Sequence, residues 1–183
     1  MVTIYDKAVR NFQSAAGLLM SLQACRTVLS GDAAALLEGR PKAPLYEGYN
    51  SLSPRFGICI PTDARAEYTL PESGEGLEFR NSGLTWMTME GLVETRGACS
   101  CYLDADAVFP APTIADVFLR EFVESGGIRD SLHREWQLGT DRAALCQLDL
   151  SEASDDVAHR RIIIHLRQPP LRFVLRSLSM TVI

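Results

Sequence analysis

The chain has 183 residues, 46% of them hydrophobic and 22% charged, and its mean hydropathy is +0.01. This is long enough to bury one sizeable core and too apolar to be disordered. The formal net charge of -5 and the lack of any basic cluster beyond a dipeptide argue against a nucleic-acid partner, which would need a positive surface.

Thr3 and Asp6 can form a capping box, after which Ala8, Phe12, Ala15, Leu19 and Leu22 recur at helical spacing. The pattern predicts a helix from Ile4 to Leu29. Ser30-Gly31 stops it, and Asp32 can cap a short second helix through Ala33 to Leu37, so that a helical hairpin fills residues 1–45. Leu22-Gln23-Ala24-Cys25 also resembles a lipoprotein cleavage site, but Asp6 in the leader and the amphipathic spacing favour the helix. No segment is long and apolar enough to span a bilayer. The five cysteines, an odd number scattered through apolar runs, suit a reducing, cytoplasmic setting.

Pro41, Pro44, Gly48 and Asn50 mark a boundary, and from residue 46 to 183 the period changes. Short β-branched and aromatic runs follow: Phe56 to Ile60, Glu67 to Leu70, Leu77 to Arg80, Leu84 to Met89 and Cys99 to Leu103. Turn residues separate them at Pro61, Pro71, Gly74, Asn81-Ser82-Gly83, Gly91 and Gly97. Strands punctuated every 8 to 12 residues or so predict an antiparallel sandwich. After Pro110-Ala111-Pro112, a second capping box (Thr113, Asp116) precedes Ile114, Val117, Phe118 and Phe122, which predicts one inserted helix ended by Gly126-Gly127. Strands resume at Ala144 to Leu150, Arg161 to Leu166 and Leu171 onward, with the terminus packed. In the last strand Leu171, Phe173 and Leu175 share one face while Leu178 and Met180 share the other, which requires a bulge or burial of both faces.

The expected class is therefore α+β, mainly β: an N-terminal helical hairpin, then an antiparallel sandwich with one inserted helix. Ala144 to Leu150, Arg161 to Leu166 and Phe173-Val174-Leu175-Arg176-Ser177-Leu178-Ser179-Met180 resemble the closing strands of jelly-roll domains of the galactose-binding and carbohydrate-binding-module type. That resemblance spans the C-terminal third, carries no diagnostic motif, and implies a fold rather than an activity.

Three function classes stay open. A non-catalytic module recognising carbohydrate or a protein partner would use aromatic faces with Arg and Asp beside them, and Trp136, Trp86, Tyr102, Arg142 and Asp141 are the candidates. A metal-dependent enzyme would use Asp104 and Asp106, which face one way on a strand and suit a hard divalent cation; Tyr102-Leu103-Asp104-Ala105-Asp106 resembles the DxD segment of nucleotide-sugar glycosyltransferases. The strand-rich stretch before it is not the alternating nucleotide-binding sheet those enzymes build. A structural subunit would form a homo-oligomer through the N-terminal helix. Cys99 and Cys101 share a face with no second paired motif, which suits a core face better than a metal site. A nucleophile elbow, a Walker loop and a zinc-protease helix are all absent from the sequence.

Overall fold

The computed structural model describes residues 4–31, 33, 37, 42–94, 98–139, 142–151 and 157–183. Among the described residues, helix α1 (Ile4–Ala24) leads into the strands β1 (Arg26–Val28), β2 (Lys42–Leu45), β3 (Gly48–Ser51), β4 (Phe56–Ile60), β5 (Ala66–Thr69), β6 (Leu77–Asn81), β7 (Trp86–Val93), β8 (Ser100–Val108), β9 (Thr113–Val123), β10 (Ile128–Leu138), β11 (Arg142–Asp149), β12 (Val157–Arg167) and β13 (Arg172–Val182). They form two sheets. The first runs β11-β8-β13-β6-β5-β2, with β1 also on β13; the second runs β10-β9-β12-β7-β4-β3. Every pairing is antiparallel.

The inner faces of the two sheets close on one apolar layer, as sandwich packing requires. Its centre is aromatic: Phe173 stacks between Phe79 and Phe109, with ring centroids 5.0 Å away on each side. Alternation delivers these side chains. In β8, Cys101, Leu103, Ala105 and Ala107 are buried while Tyr102, Asp104, Asp106 and Val108 are half-exposed on the outer face. In β13, Leu175 pairs with Ala107 and Ser177 with Asp106, so Arg176 is an extra residue. That bulge turns Phe173, Leu175, Leu178, Met180 and Val182 all inward and resolves the change of phase in the sequence.

The sequence expectation of a mainly β sandwich holds, with three local corrections. Helix α1 ends at Ala24, and Arg26 to Val28 become a strand on Thr181, Met180 and Ser179. The inserted helix is not one: residues 113–123 are β9, paired on both sides by β10 and β12. Residues 128–138, between the expected helix and the strand resuming at Ala144, form β10 at the edge of the second sheet. The second helix of the expected hairpin lies mainly on residues outside those described. Both β1 and β2, which precede residue 46, belong to the first sheet.

Gly76 shows how tightly the chain is threaded. Its φ is +82°, and a Cβ there would sit 2.2 Å from the Leu175 carbonyl oxygen.

Candidate functional site

Paired residues share a face, so the ladder defines what the second sheet presents to solvent. Cys59 lies opposite both Tyr49 and Thr88, Glu90 opposite Gly57 and Ile163, Ile163 opposite Phe118, and His165 opposite Thr88 and Asp116. The outer face of this sheet is consequently neither a plain polar surface nor a second core. Cys59, Trp86, Thr88, Glu90, Phe118, Arg120 and His165 line an open depression of about 260 Å³. Ile163, fully buried yet outside the inter-sheet core, lies within this outer face.

Aromatic rings stand on this outer face, Trp86 and Phe118 in the depression itself, and each is positioned by something beneath or beside it. Tyr49, 45% exposed, lies over Gly57, where a Cβ would come within 2.3 Å of its ring. From β12 the Arg161 guanidinium sits 4.4 Å from the Tyr49 ring centroid and 5.8 Å from that of Phe122. Trp86 meets His165 edge-on at 6.2 Å. His133 stacks on Phe118 at 6.2 Å and His159 on Phe122 at 4.1 Å. All three histidines of the chain thus pack against rings of this one face.

The bulge in β10 makes one of those contacts. Ser131 pairs with Leu119 and Arg134 with Val117, leaving Leu132 and His133 both opposite Phe118. Leu132, at φ 57°, packs against the core while His133 reaches the outer face.

The charges here are matched in pairs. Arg161 donates from Nη1 to Glu90 Oε2 at 3.0 Å, and Thr88 donates from Oγ1 to Glu90 Oε1 at 3.0 Å. Arg167 donates from Nε to Asp116 Oδ2 at 2.6 Å; the same carboxylate has His133 Nε2 at 3.5 Å and His165 Nδ1 at 3.9 Å. Arg120 grips Asp130 with two bonds of 2.8 and 2.7 Å, which hold its guanidinium above its ordinary pKa despite partial burial. Burial pushes the Tyr49 phenol up against the pull of Arg161, and burial with the Glu90 charge pushes up the Cys59 thiol. Desolvation lowers the His165 pKa, partly countered by Asp116.

The residues singled out in the sequence fall in three different places. Trp86 is on this face. Trp136 is not a surface residue: it is 3% exposed, in the inter-sheet core, because the β10 bulge sets it opposite buried Ala115. Its Nε1 has no hydrogen-bond partner among the described residues. Tyr102, Asp104 and Asp106 lie on the outer face of the other sheet. There Arg26 Nη2 donates to Asp104 Oδ1 at 2.9 Å and Arg176 Nη1 to Asp106 Oδ1 at 3.4 Å, so arginines occupy the carboxylates that a cation would need. Among the described residues no group of three His, Cys, Asp or Glu side chains could hold a metal ion. Asp141 lies outside the described residues, and Arg142 opens β11 opposite Ala107. Cys101 and Cys146 are buried, with the Cys101 thiol pushed up to about 12 by burial.

Sequence reasoning missed Tyr49, Phe118, Phe122, Arg120, Arg161 and Asp116. The signal that could have found them is the alternation Asp116, Phe118, Arg120, Phe122, read with period two instead of 3.6.

A jelly-roll-like sandwich with an aromatic depression on one outer face is the class that fold and site together define. No protein-family model matches the sequence, and no match is found among curated proteins. Among solved structures the chain is similar to the CBM22-1 xylan-binding domain of Paenibacillus barcinonensis Xyn10C, at TM-score 0.50 and 8% identity over 77% of this chain and 92% of that one. It is also similar to the C-terminal family 22 carbohydrate binding module of Clostridium thermocellum Xyn10B, at TM-score 0.48 and 13% identity over 75% and 92%. The family 11 carbohydrate-binding module of Clostridium thermocellum Lic26A-Cel5E gives TM-score 0.44 and 11% identity over 76% and 97%. At these identities the likeness is one of fold.

Proposed function

We propose that this protein is a non-catalytic carbohydrate-binding module whose ligand lies across the outer face of the second sheet. The observation that carries the reading is this outer face: Trp86 and Phe118 line the open depression together with guanidinium, carboxylate, imidazole and hydroxyl groups, and Tyr49 stands beside it, opposite Cys59. Sugar rings present apolar C–H faces to stack and hydroxyls to bond, and this surface offers partners for both. The solved sandwich with TM-score 0.50 is described as xylan-binding, which agrees with the reading without carrying it.

The two acids of the depression and its rim support the non-catalytic reading. Hydrolysis of a glycosidic bond needs one carboxyl group free to give a proton and another free to attack or to activate water. Glu90 and Asp116 are each bound by an arginine and turned to structural work. Because the arginines of the face are paired in the same way, the expected ligand is a neutral chain recognised through hydroxyls.

The test is isothermal titration with neutral xylo- and gluco-oligosaccharides, preceded by a glycan array to choose among them. Trp86→Ala and Tyr49→Ala should each weaken binding by roughly tenfold or more, equal to about 1.4 kcal/mol, while Tyr102→Ala on the other sheet leaves it unchanged. Binding that survives both Trp86→Ala and Tyr49→Ala, or the lack of any glycan ligand, would overturn the proposal.

A further inference from the structure

Helix α1 leaves its apolar surface uncovered. None of its residues is buried; Phe12 is 78% exposed, Leu19 67% and Leu22 44%. A lone helix of this length is marginal in water unless its apolar face is packed. The exposed apolar residues of α1 also include Ile4, Val9, Leu18 and Met20, and among them Tyr5, Ala8, Phe12, Ala15, Leu19 and Leu22 alternate steps of three and four, the spacing of a coiled-coil seam. A surface of period 3.5 is matched by another helix of the same period.

We propose that α1 pairs with α1 of a second copy of this chain, running antiparallel, with Phe12 opposite Ala15 of that copy. Side-chain size selects the direction. Antiparallel, each inner layer joins one large and one small residue, Phe12 with Ala15 and Ala8 with Leu19, while Tyr5 meets Leu22 at the ends. Parallel, Phe12 would meet Phe12 and Ala15 would meet Ala15, so an overfilled layer would adjoin a void. Charge selects the same direction. The charged residues Asp6, Lys7 and Arg10 all lie in the first half of α1, and its last turn holds no basic residue. Antiparallel pairing brings Lys7 and Arg10 beside the C-terminal turns of the second copy, where the helix dipole favours cations; parallel pairing would stack like charges. Two helices of about 31 Å bury less than the roughly 1,600 Å² of a standard interface, so the pairing is reversible.

Sedimentation equilibrium of the full chain between about 1 and 200 μM should show a monomer of 20.2 kDa giving way to a species of twice that mass. Phe12→Asp should hold the protein monomeric, and Gln13→Asp, off the seam, should leave the dimer intact. Direction is read by oxidation followed by peptide mapping: a mixture of Phe12→Cys and Ala15→Cys proteins should form a 12–15 disulfide, and Ala15→Cys alone should form no 15–15 disulfide. A monomer at every concentration would overturn the inference, including one that binds phospholipid vesicles through α1. So would a 15–15 crosslink.

Discussion

Replacing Arg161 by leucine probes the link between the sandwich and its outer face. The guanidinium donates to Glu90 at 3.0 Å and covers the Tyr49 ring at 4.4 Å, with side-chain exposures of 24% for Arg161 and 8% for Glu90. Removing it leaves a buried carboxylate that keeps, among the described residues, the Thr88 hydroxyl as its hydrogen-bond partner. Breaking a buried ion pair from one side costs about 3–5 kcal/mol, and water reaching this partly exposed site lowers that figure, while the lost cation–π contact adds about 0.5–1 kcal/mol. The expected net cost is about 2–4 kcal/mol. If the stranded charge is the cause, Glu90→Leu in the Arg161→Leu background should recover part of the loss, because Ile163 opposite it can pack against leucine. Urea unfolding of both single variants and the double variant gives the coupling energy, expected at about 1.5 kcal/mol or more. A loss below about 0.5 kcal/mol for Arg161→Leu, or strictly additive single variants, would refute this reasoning.

Gly76→Ala, with its Cβ 2.2 Å from the Leu175 oxygen at φ +82°, should cost about 3 kcal/mol or more, read as a large fall in Tm. Glu78, buried under Arg172 and Arg80, is held below its ordinary value of 4.5, chiefly by its bond from Arg172. A depressed folded pKa gives stability that is complete above the unfolded value and disappears as pH falls through the folded one. Denaturation midpoints should therefore drop from about pH 5 downward, and Glu78→Gln should flatten that slope while lowering stability at pH 7. Asp104→Ala breaks only a half-exposed pair with Arg26, so chemical denaturation should register less than about 1 kcal/mol, and added magnesium or manganese should shift neither protein; a metal-induced rise in Tm lost in the variant would restore a cation role.

The sandwich was legible where one face of a strand is apolar and the other polar. Residues 100–108 and 172–182 show this alternation, and even the β13 bulge was foreshadowed by its change of phase. Reading failed where both faces of a strand have work to do. In β9, Ala115, Val117 and Leu119 enter the core while Phe118 and Phe122 line the outer face, and apolar residues on both faces produced positions at helical spacing. In β10 the reverse holds: an edge strand with few buried residues gave no apolar rhythm at all. Trp136 failed for a subtler reason. It sits among the polar residues His133, Arg134, Glu135 and Gln137, and only the bulge at Leu132, invisible without the pairing register, turns it inward. The site residues were harder still, because Tyr49, Trp86, Phe118 and Arg161 come together only through cross-strand pairing of four separate segments.

With one tryptophan in the core and one on the outer face, acrylamide quenching of intrinsic fluorescence tests the carbohydrate proposal most directly. Trp86 should supply the quenchable signal, and a neutral oligosaccharide that binds should protect it, an effect absent from Trp86→Phe. Glycan binding that leaves the quenching of Trp86 unchanged would contradict the account and place the ligand elsewhere.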